Sequence, residues 1–342
     1  MREVKEMNVP FVTVIMPVRN EEPYLAGCLD SLFATDYPIE RLEMLVIDGN
    51  STDRTREIAA DYQQRYPCLR LLDNPQQLQV AALNIGIQQA RGEIIMRMDA
   101  HTEYPSDYIR LCVTLLLASR ADNVGGVLEA AGRTYFGKAA ALAVTSPFGA
   151  GDAKYRTATR EAWVDTIFPG VWRKEKLLAL GGFSEAWEVN EDYELNCRLR
   201  AEGGKLLLSP VISCRYYVRE EIGALARQYF RYGHWKVKTL VVHPDSLRWR
   251  QLAAPLLVLG LAVSALIAWW WPVLGMLLPA LYLLANLVAS APKGWRYLPV
   301  LPLVFLTIHL GWGIGFLSGI CKWGMPRLTI RSLRNAVKEV RS

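Results

Sequence analysis

In the stretch "EIIMRMDAHTEY", Glu93 to Tyr104, an apolar run breaks into Asp99 and His101, a carboxylate and an imidazole two residues apart. Two earlier apolar runs end in a similar way: "MPVRNEE" delivers Glu21, and "VIDGNSTD" delivers Asp48. Each acid alone has a plain alternative. Asp48-Gly49-Asn50 is a turn sequence, and Asp53 suits the cap of the helix that follows. Together, Glu21, Asp48 and Asp99 bring carboxylates to one crevice of a chain whose net charge is +6. Converging carboxylates need hydrogen-bond donors to bind, or a cation that bridges them to an anionic ligand.

The elements that would position these acids are readable. "FVTVIMPV" (11–18), "LEMLVID" (42–48), "LRLL" (69–72) and "EIIMRMD" (93–99) have strand length, and "EEPYLAGCLDSLF" places Leu25, Cys28, Leu29 and Leu32 at helical spacing. Strand alternating with helix predicts an α/β domain with a mainly parallel sheet covered on both faces. In such sheets ligands sit at the carboxyl ends of the strands, where the three acids stand. Glu191 and Asp192 open a further helical pattern, "NEDYELNCRLRAEG", where acids complement the positive end of the helix dipole.

Beyond residue 250 the composition changes. Leu252 to Trp271, Val273 to Ala291 and Leu298 to Cys321 contain no Lys, Arg, Asp or Glu over roughly 20 residues each, except for the short "PKGWRY" between the last two. They predict membrane helices, with "WWWP" as an interfacial junction. The six cysteines form no C-x-x-C pair and read as reduced thiols rather than a zinc site or a disulfide framework. The opening "MREVKEMNVPFVTVIMPV" does not resemble a cleaved leader, so the N-terminal region is expected to face the cytoplasm. No nucleic-acid partner is expected.

The ordered set "MPVRNEE", "VIDGNSTDRT", "LNIGIQQARGEIIMRMDAH", "GGFSEAWEVNEDYEL" and "RQYFRYGHW" resembles the family 2 glycosyltransferases of GT-A fold, and within them the membrane-attached succinoglycan type. The resemblance spans roughly residues 10 to 240 and implies residue roles. Pro17, Glu21 and Asp48 match the nucleotide pocket, with Asp48 as reader of the base. Asp99 and His101 match the Asp-x-Asp position that holds a divalent cation, Mn²⁺ or Mg²⁺, with His departing from the second Asp of the common pattern. Asp192 matches the general base, with Glu191 beside it. Gln228 and Arg231 match the first part of Gln-x-x-Arg-Trp as diphosphate or acceptor contacts. Tyr232 stands where Trp is usual and Trp235 follows as an acceptor platform, a departure that argues against a processive polymerase.

The implied activity is inverting transfer of a sugar from a nucleotide-sugar, such as UDP-glucose, to a hydroxyl of a lipid-linked saccharide in exopolysaccharide or envelope glycan synthesis. A polyprenyl-phosphate glycosyltransferase and a processive synthase are the alternatives; a non-enzymatic receptor that kept the fold fits the residues poorly. The expected organisation is a catalytic domain over 1–216, a basic amphipathic interfacial segment over 217–250, membrane helices over 251–321 and a basic amphipathic tail over 322–342. Residues 145–175, with "SPFGAG", read as a loop closing over the substrates. Gly311, Gly315 and Gly319, four apart, offer a small-residue face to another helix or subunit, and hence a route to a homo-oligomer. The basic residues after 321 predict a cytoplasmic tail at the inner membrane, and a third apolar segment that does not fully cross, broken at Pro or Gly.

Overall fold

The computed structural model describes residues 9–151 and 153–327. The tail helix expected over 322–342 therefore lies largely outside the described residues. Two compact units divide the chain: the described residues up to Glu129 with Lys154–Tyr216, and Ala130–Ala153 with those from Tyr217 onward. The sequence reading kept 130–153 with the catalytic domain; in the structure this stretch belongs to the second unit.

The sheet contains β1 (Val12–Val18), β2 (Leu42–Asp48), β3 (Leu69–Asp73), β4 (Ile94–Arg97), β5 (Thr102–Glu103), β6 (Asn123–Ala131), β7 (Ala162–Val164), β8 (Val171–Arg173) and β9 (Leu206–Tyr217). Its order is β3-β2-β1-β4-β8-β6-β9-β5, with β7 on β9. β3, β2, β1 and β4 run parallel; β8 joins β4 antiparallel, and the β8–β6, β5–β9 and β7–β9 pairs are antiparallel as well. The mainly parallel expectation thus holds for one half of a mixed sheet.

β1 and β2 are long apolar runs because helices cover them. The helix Gln79–Gln89 lies so close to β1 that a methyl group on Gly86 would stand 2.2 Å from Ile15 Cγ2. Ile15, Leu45, Ile47, Leu83 and Ile95 share the resulting core with Leu195 and Leu199 of the helix Glu191–Ala201. That shared core seats the helix start beside the sheet. The pairing Val18↔Asp48↔Asp73, with Ile15↔Arg97, aligns the carboxyl ends of the four parallel strands on one edge.

The second unit is helical. Among the described residues, three of its helical segments, Arg250–Trp270, Pro272–Lys293 and Leu301–Trp323, are long and apolar enough to cross a membrane. The third is one unbroken helix of 23 residues, with Pro302 in its first turn, so the expected break at Pro or Gly is not there. It packs along the helix Ile222–Val242. A methyl group on Gly311 would stand 3.2 Å from the Ala226 carbonyl oxygen, on Gly315 2.0 Å from that of Phe230, and on Gly319 2.5 Å from that of His234. The matched steps 226/311, 230/315 and 234/319 make the two helices parallel. This corrects the oligomer reading, because the glycine face is filled by backbone of the same chain.

In the same unit, His309 ties three segments together. Its Nε2 lies 2.7 Å from the Phe148 carbonyl oxygen, and its Nδ1 2.8 Å from the Tyr282 hydroxyl. A carbonyl only accepts, so Nε2 carries the proton and Nδ1 accepts from Tyr282. The "SPFGAG" stretch is thereby anchored to apolar helices of its own unit.

Candidate active site

The carboxyl edge of the parallel strands holds strained backbone. Asn20 (φ 55), Asn50 (φ 58) and Gln77 (φ 58) follow β1, β2 and β3, and Asn190 (φ 64) precedes the helix Glu191–Ala201. Non-glycine residues in the left-handed region cost energy, and such strain collects at functional sites. Two loops meet there through reciprocal bonds: Asn20 N–H donates to Ser51 Oγ at 3.0 Å, Thr52 N–H to Asn20 Oδ1 at 2.8 Å, and Glu21 N–H to Thr55 Oγ1 at 2.7 Å. Asp53 joins this stitching, accepting from Glu22 N–H at 3.2 Å and Thr55 N–H at 3.0 Å.

Asp48 closes β2. Its carboxylate is buried, accepts from the Ser51 hydroxyl at 2.6 Å, and lies 3.3 Å from Arg56 NH1, which also holds Asp73 at 2.6 Å. Pro17 is the partly exposed residue near the end of β1. Glu21, grouped with the nucleotide pocket from sequence, also meets His101, with Oε1 3.1 Å from Nδ1. Asp99 is 7% exposed, its N–H donates to the Tyr104 hydroxyl at 2.9 Å, and Arg97 Nε reaches its Oδ1 at 3.4 Å.

Arg97 is the residue that sequence reasoning missed. Its guanidinium is 3% exposed, donates through NH1 to Glu191 Oε1 at 2.9 Å, and lies over the Phe168 ring at 4.6 Å. Burial works against its charge, yet Asp99, Glu191 and Asp192 hold it more firmly protonated than an ordinary Arg. An Arg at the end of an otherwise apolar strand was the available signal, since a buried guanidinium demands a partner. Asp192 is partly exposed, and its carboxyl is pushed up by its crowded, poorly solvated position and by the adjacent Glu191, against the pull of Arg97.

Three carboxylates thus surround one guanidinium, and the excess negative charge invites a further cation. Among the described residues no group of three or more His, Cys, Asp or Glu is arranged to hold a metal. The donor set present is nevertheless suitable for a cation shared with phosphate oxygens, which needs only one or two protein donors. Asp99 supplies a carboxylate. If Glu21 accepts the Nδ1 proton, His101 keeps Nε2 as a lone-pair donor, the arrangement in which a carboxylate orients a metal-binding histidine.

Gln228, Arg231 and Trp235 lie on the helix Ile222–Val242 of the second unit. Gln228 Nε2 donates to the Tyr232 hydroxyl at 3.1 Å, and Arg231 is exposed. Trp235 is 8% exposed, with Trp323 at 5.2 Å and the ammonium groups of Lys238 and Lys322 over its ring at 5.1 and 5.9 Å. That covering leaves little of the Trp235 ring exposed to an acceptor sugar.

The chain thus joins a mixed α/β sheet with acids at its carboxyl edge to a unit of long apolar helices. Residues 13–177 match the glycosyl transferase family 2 model. The chain is 33% identical over 309 residues to the succinoglycan biosynthesis protein ExoA of Rhizobium meliloti, covering 89% of this chain and 93% of that protein. It is 26% identical over 235 residues, 65% of this chain and 72% of the relative, to a dolichyl N-acetyl-alpha-D-glucosaminyl phosphate 3-beta-D-2,3-diacetamido-2,3-dideoxy-beta-D-glucuronosyltransferase of Methanococcus voltae. Among solved structures, a mannosyltransferase from Pyrobaculum calidifontis in complex with GDP-Man and Mn²⁺ matches with a TM-score of 0.61 at 20% identity, over 93% of this chain and 89% of that one. The chain belongs to glycosyl transferase family 2.

Proposed function

We propose that the protein is an inverting hexosyltransferase that moves a sugar from a UDP-sugar, such as UDP-glucose, to a hydroxyl of a lipid-linked saccharide in exopolysaccharide or envelope glycan synthesis. The observation that carries this reading is the convergence of Asp99, Glu191 and Asp192 on Arg97 at the carboxyl edge of the sheet. Asp192 is the base. Its raised proton affinity suits removal of the acceptor hydroxyl's proton as that oxygen attacks the anomeric carbon opposite the nucleotide. The partly exposed position leaves it reachable.

Asp99 and His101 would hold a divalent cation, Mn²⁺ or Mg²⁺, which when bound supplies counter-charge for the departing diphosphate. Pro17 and Asp48 line the nucleotide pocket, with Glu21 beside them orienting His101. Gln228 and Arg231 serve the diphosphate or the acceptor. The lipid-linked acceptor is supported by the two relatives, one a succinoglycan biosynthesis protein and one a transferase named for a dolichyl phosphate-linked sugar.

The same reading places the enzyme at the inner membrane with the catalytic unit cytoplasmic. The helices Arg250–Trp270 and Leu277–Ser290 form a hairpin, and the third apolar helix stays on the cytoplasmic side. Its parallel partner carries Arg227, Arg231 and Lys238, which belong at the interface rather than in hydrocarbon. The testing experiment supplies a panel of UDP- and GDP-sugars with a bacterial lipid extract. Transfer of one sugar residue to a glycolipid supports the reading; transfer to polyprenyl phosphate itself, or growth of a long chain, replaces it with one of the alternatives.

A further inference from the structure

β4 offers three apolar residues to the core and then Arg97, whose side chain is as buried as theirs. A guanidinium cannot be buried without compensation, so the fold must deliver acceptors to it. One comes from its own strand end, Asp99 Oδ1 at 3.4 Å. The other comes from 94 residues further along the chain, Glu191 Oε1 at 2.9 Å, at the start of the helix Glu191–Ala201. The guanidinium is planar and its N–H groups are fixed relative to one another, so both acceptors are held at a set angle and separation. Phe168, under the guanidinium at 4.6 Å, keeps that plane from rotating.

We propose that Arg97 is a positioning residue of the transfer reaction: its fork fixes the donor-side carboxylate Asp99 against the helix start that carries the base Asp192. This inference rests on the assignment of Asp99 and Asp192 to those two halves of the site. A Lys in its place would keep one positive charge and lose the fork. The base would then wander relative to the donor, and displacements of about 1 Å cost on the order of 10²-fold in rate. Donor binding leans on the nucleotide loops as well as on Asp99, whose backbone Tyr104 still holds, so it would change less than turnover.

The experiment compares wild type, Arg97→Lys, Glu191→Ala and the double variant. Titration with UDP and Mn²⁺ counts intact sites, and turnover is measured per intact site with whichever of UDP-glucose, UDP-galactose or UDP-N-acetylglucosamine the wild type consumes. The expected result for Arg97→Lys is UDP affinity within about threefold of wild type, donor KM nearly unchanged, and kcat per intact site lower by about 10²-fold. Glu191→Ala breaks the same link from the other end, so the double variant is expected to lose no more than the worse single one. A merely structural role would reduce the number of intact sites and leave kcat per site alone. Normal kcat per intact site in Arg97→Lys, or losses that multiply in the double variant, overturns the inference. If Arg97→Lys fails to fold, Glu191→Ala alone decides by the same criterion, with kcat taken on its high-pH plateau so that a shifted Asp192 limb is not read as a change in rate. Asp99→Ala and Asp192→Asn serve as controls: if they too turn over normally, the assignment of the site has failed rather than the role of Arg97.

Discussion

Glu21 Oε1 lies 3.1 Å from His101 Nδ1, which joins the loop after β1 to the residue two places beyond Asp99. The pair is mostly buried, with side-chain exposures of 15% and 14%, so the contact is poorly screened by water. With Nδ1 protonated and donating to Glu21, the lone pair of His101 is confined to Nε2. Glu21 would then act on a bound cation through the histidine.

Glu21→Ala is therefore expected to weaken Mn²⁺ binding by about 10- to 100-fold, the usual cost of removing such an orienting partner. Glu21→Gln should lose less, because its amide oxygen still accepts the Nδ1 proton. Paramagnetic titration of Mn²⁺ with and without UDP measures both. Wild-type affinity in Glu21→Ala would show that His101 is not oriented for a metal at all.

Asp48 makes a different prediction because its carboxylate already satisfies Ser51 and Arg56. Asp48→Asn keeps an acceptor for the Ser51 hydroxyl and loses the ion pair together with the anionic acceptor for the nucleotide. A hydrogen bond to a charged group contributes roughly 1.5–3 kcal/mol, so UDP affinity should fall by about 10-fold or more. Mn²⁺ binding should not change. Calorimetric titration with UDP decides, and an unaltered dissociation constant would remove Asp48 from the nucleotide pocket.

These acids were legible because each follows an apolar run and precedes turn-forming residues, a local signal. What the structure adds is non-local. β6 carries Gly125 and Gly126, poor strand formers, because a methyl group on Gly126 would stand 2.1 Å from the Ile212 carbonyl oxygen of β9. The antiparallel half of the sheet therefore left little trace in the periodicity. Arg97 was hidden for the same reason, since its partner Glu191 is far along the chain. "SPFGAG" has the composition of a substrate loop, yet the Phe148 carbonyl is anchored by His309, a contact that no local pattern announces.

Asp192 gives a pH prediction with two opposite signs. Poor solvation and the neighbouring Glu191 raise its carboxyl to about 7. A base works only when deprotonated, so kcat should rise with pH through that region and then level off. Glu191→Gln removes a raising charge and should move this limb to lower pH. Stability runs the other way: a carboxyl whose proton affinity is raised by folding adds stability below the unfolded carboxylate range, and that contribution is lost as pH rises through the folded value. Asp192→Asn cannot ionise. It should be nearly inactive, yet melt higher than wild type at pH 8, with the difference shrinking towards pH 4. An inactive variant that melts equally at both values would refute the raised carboxyl.

The last prediction concerns the third apolar helix. Leu301–Trp323 has 23 residues, about 34 Å of helix and enough for a crossing. Length alone does not decide, because a helix must share the depth of the helix it packs along. Gly311, Gly315 and Gly319 bring it against Ala226, Phe230 and His234, and that partner carries Arg227, Arg231 and Lys238 in the same turns. Moving the pair into hydrocarbon would bury several charges, each costing at least about 2.5 kcal/mol at the centre of a bilayer. Contacts with the hairpin point the same way. Trp312 Nε1 donates to the Gln251 carbonyl at 3.3 Å, and Gly313 approaches Ala254 and Val258, all in the first three turns of Arg250–Trp270. The end of the helix should therefore emerge on the side where the hairpin begins, and Met325 should share a compartment with the catalytic unit. In a background with Cys321→Ser, cysteines introduced as Met325→Cys and Glu40→Cys should both resist an impermeant maleimide in intact cells and react once the membrane is permeabilised. Labelling of Met325→Cys in intact cells, with Glu40→Cys still protected, would make the helix a full third span.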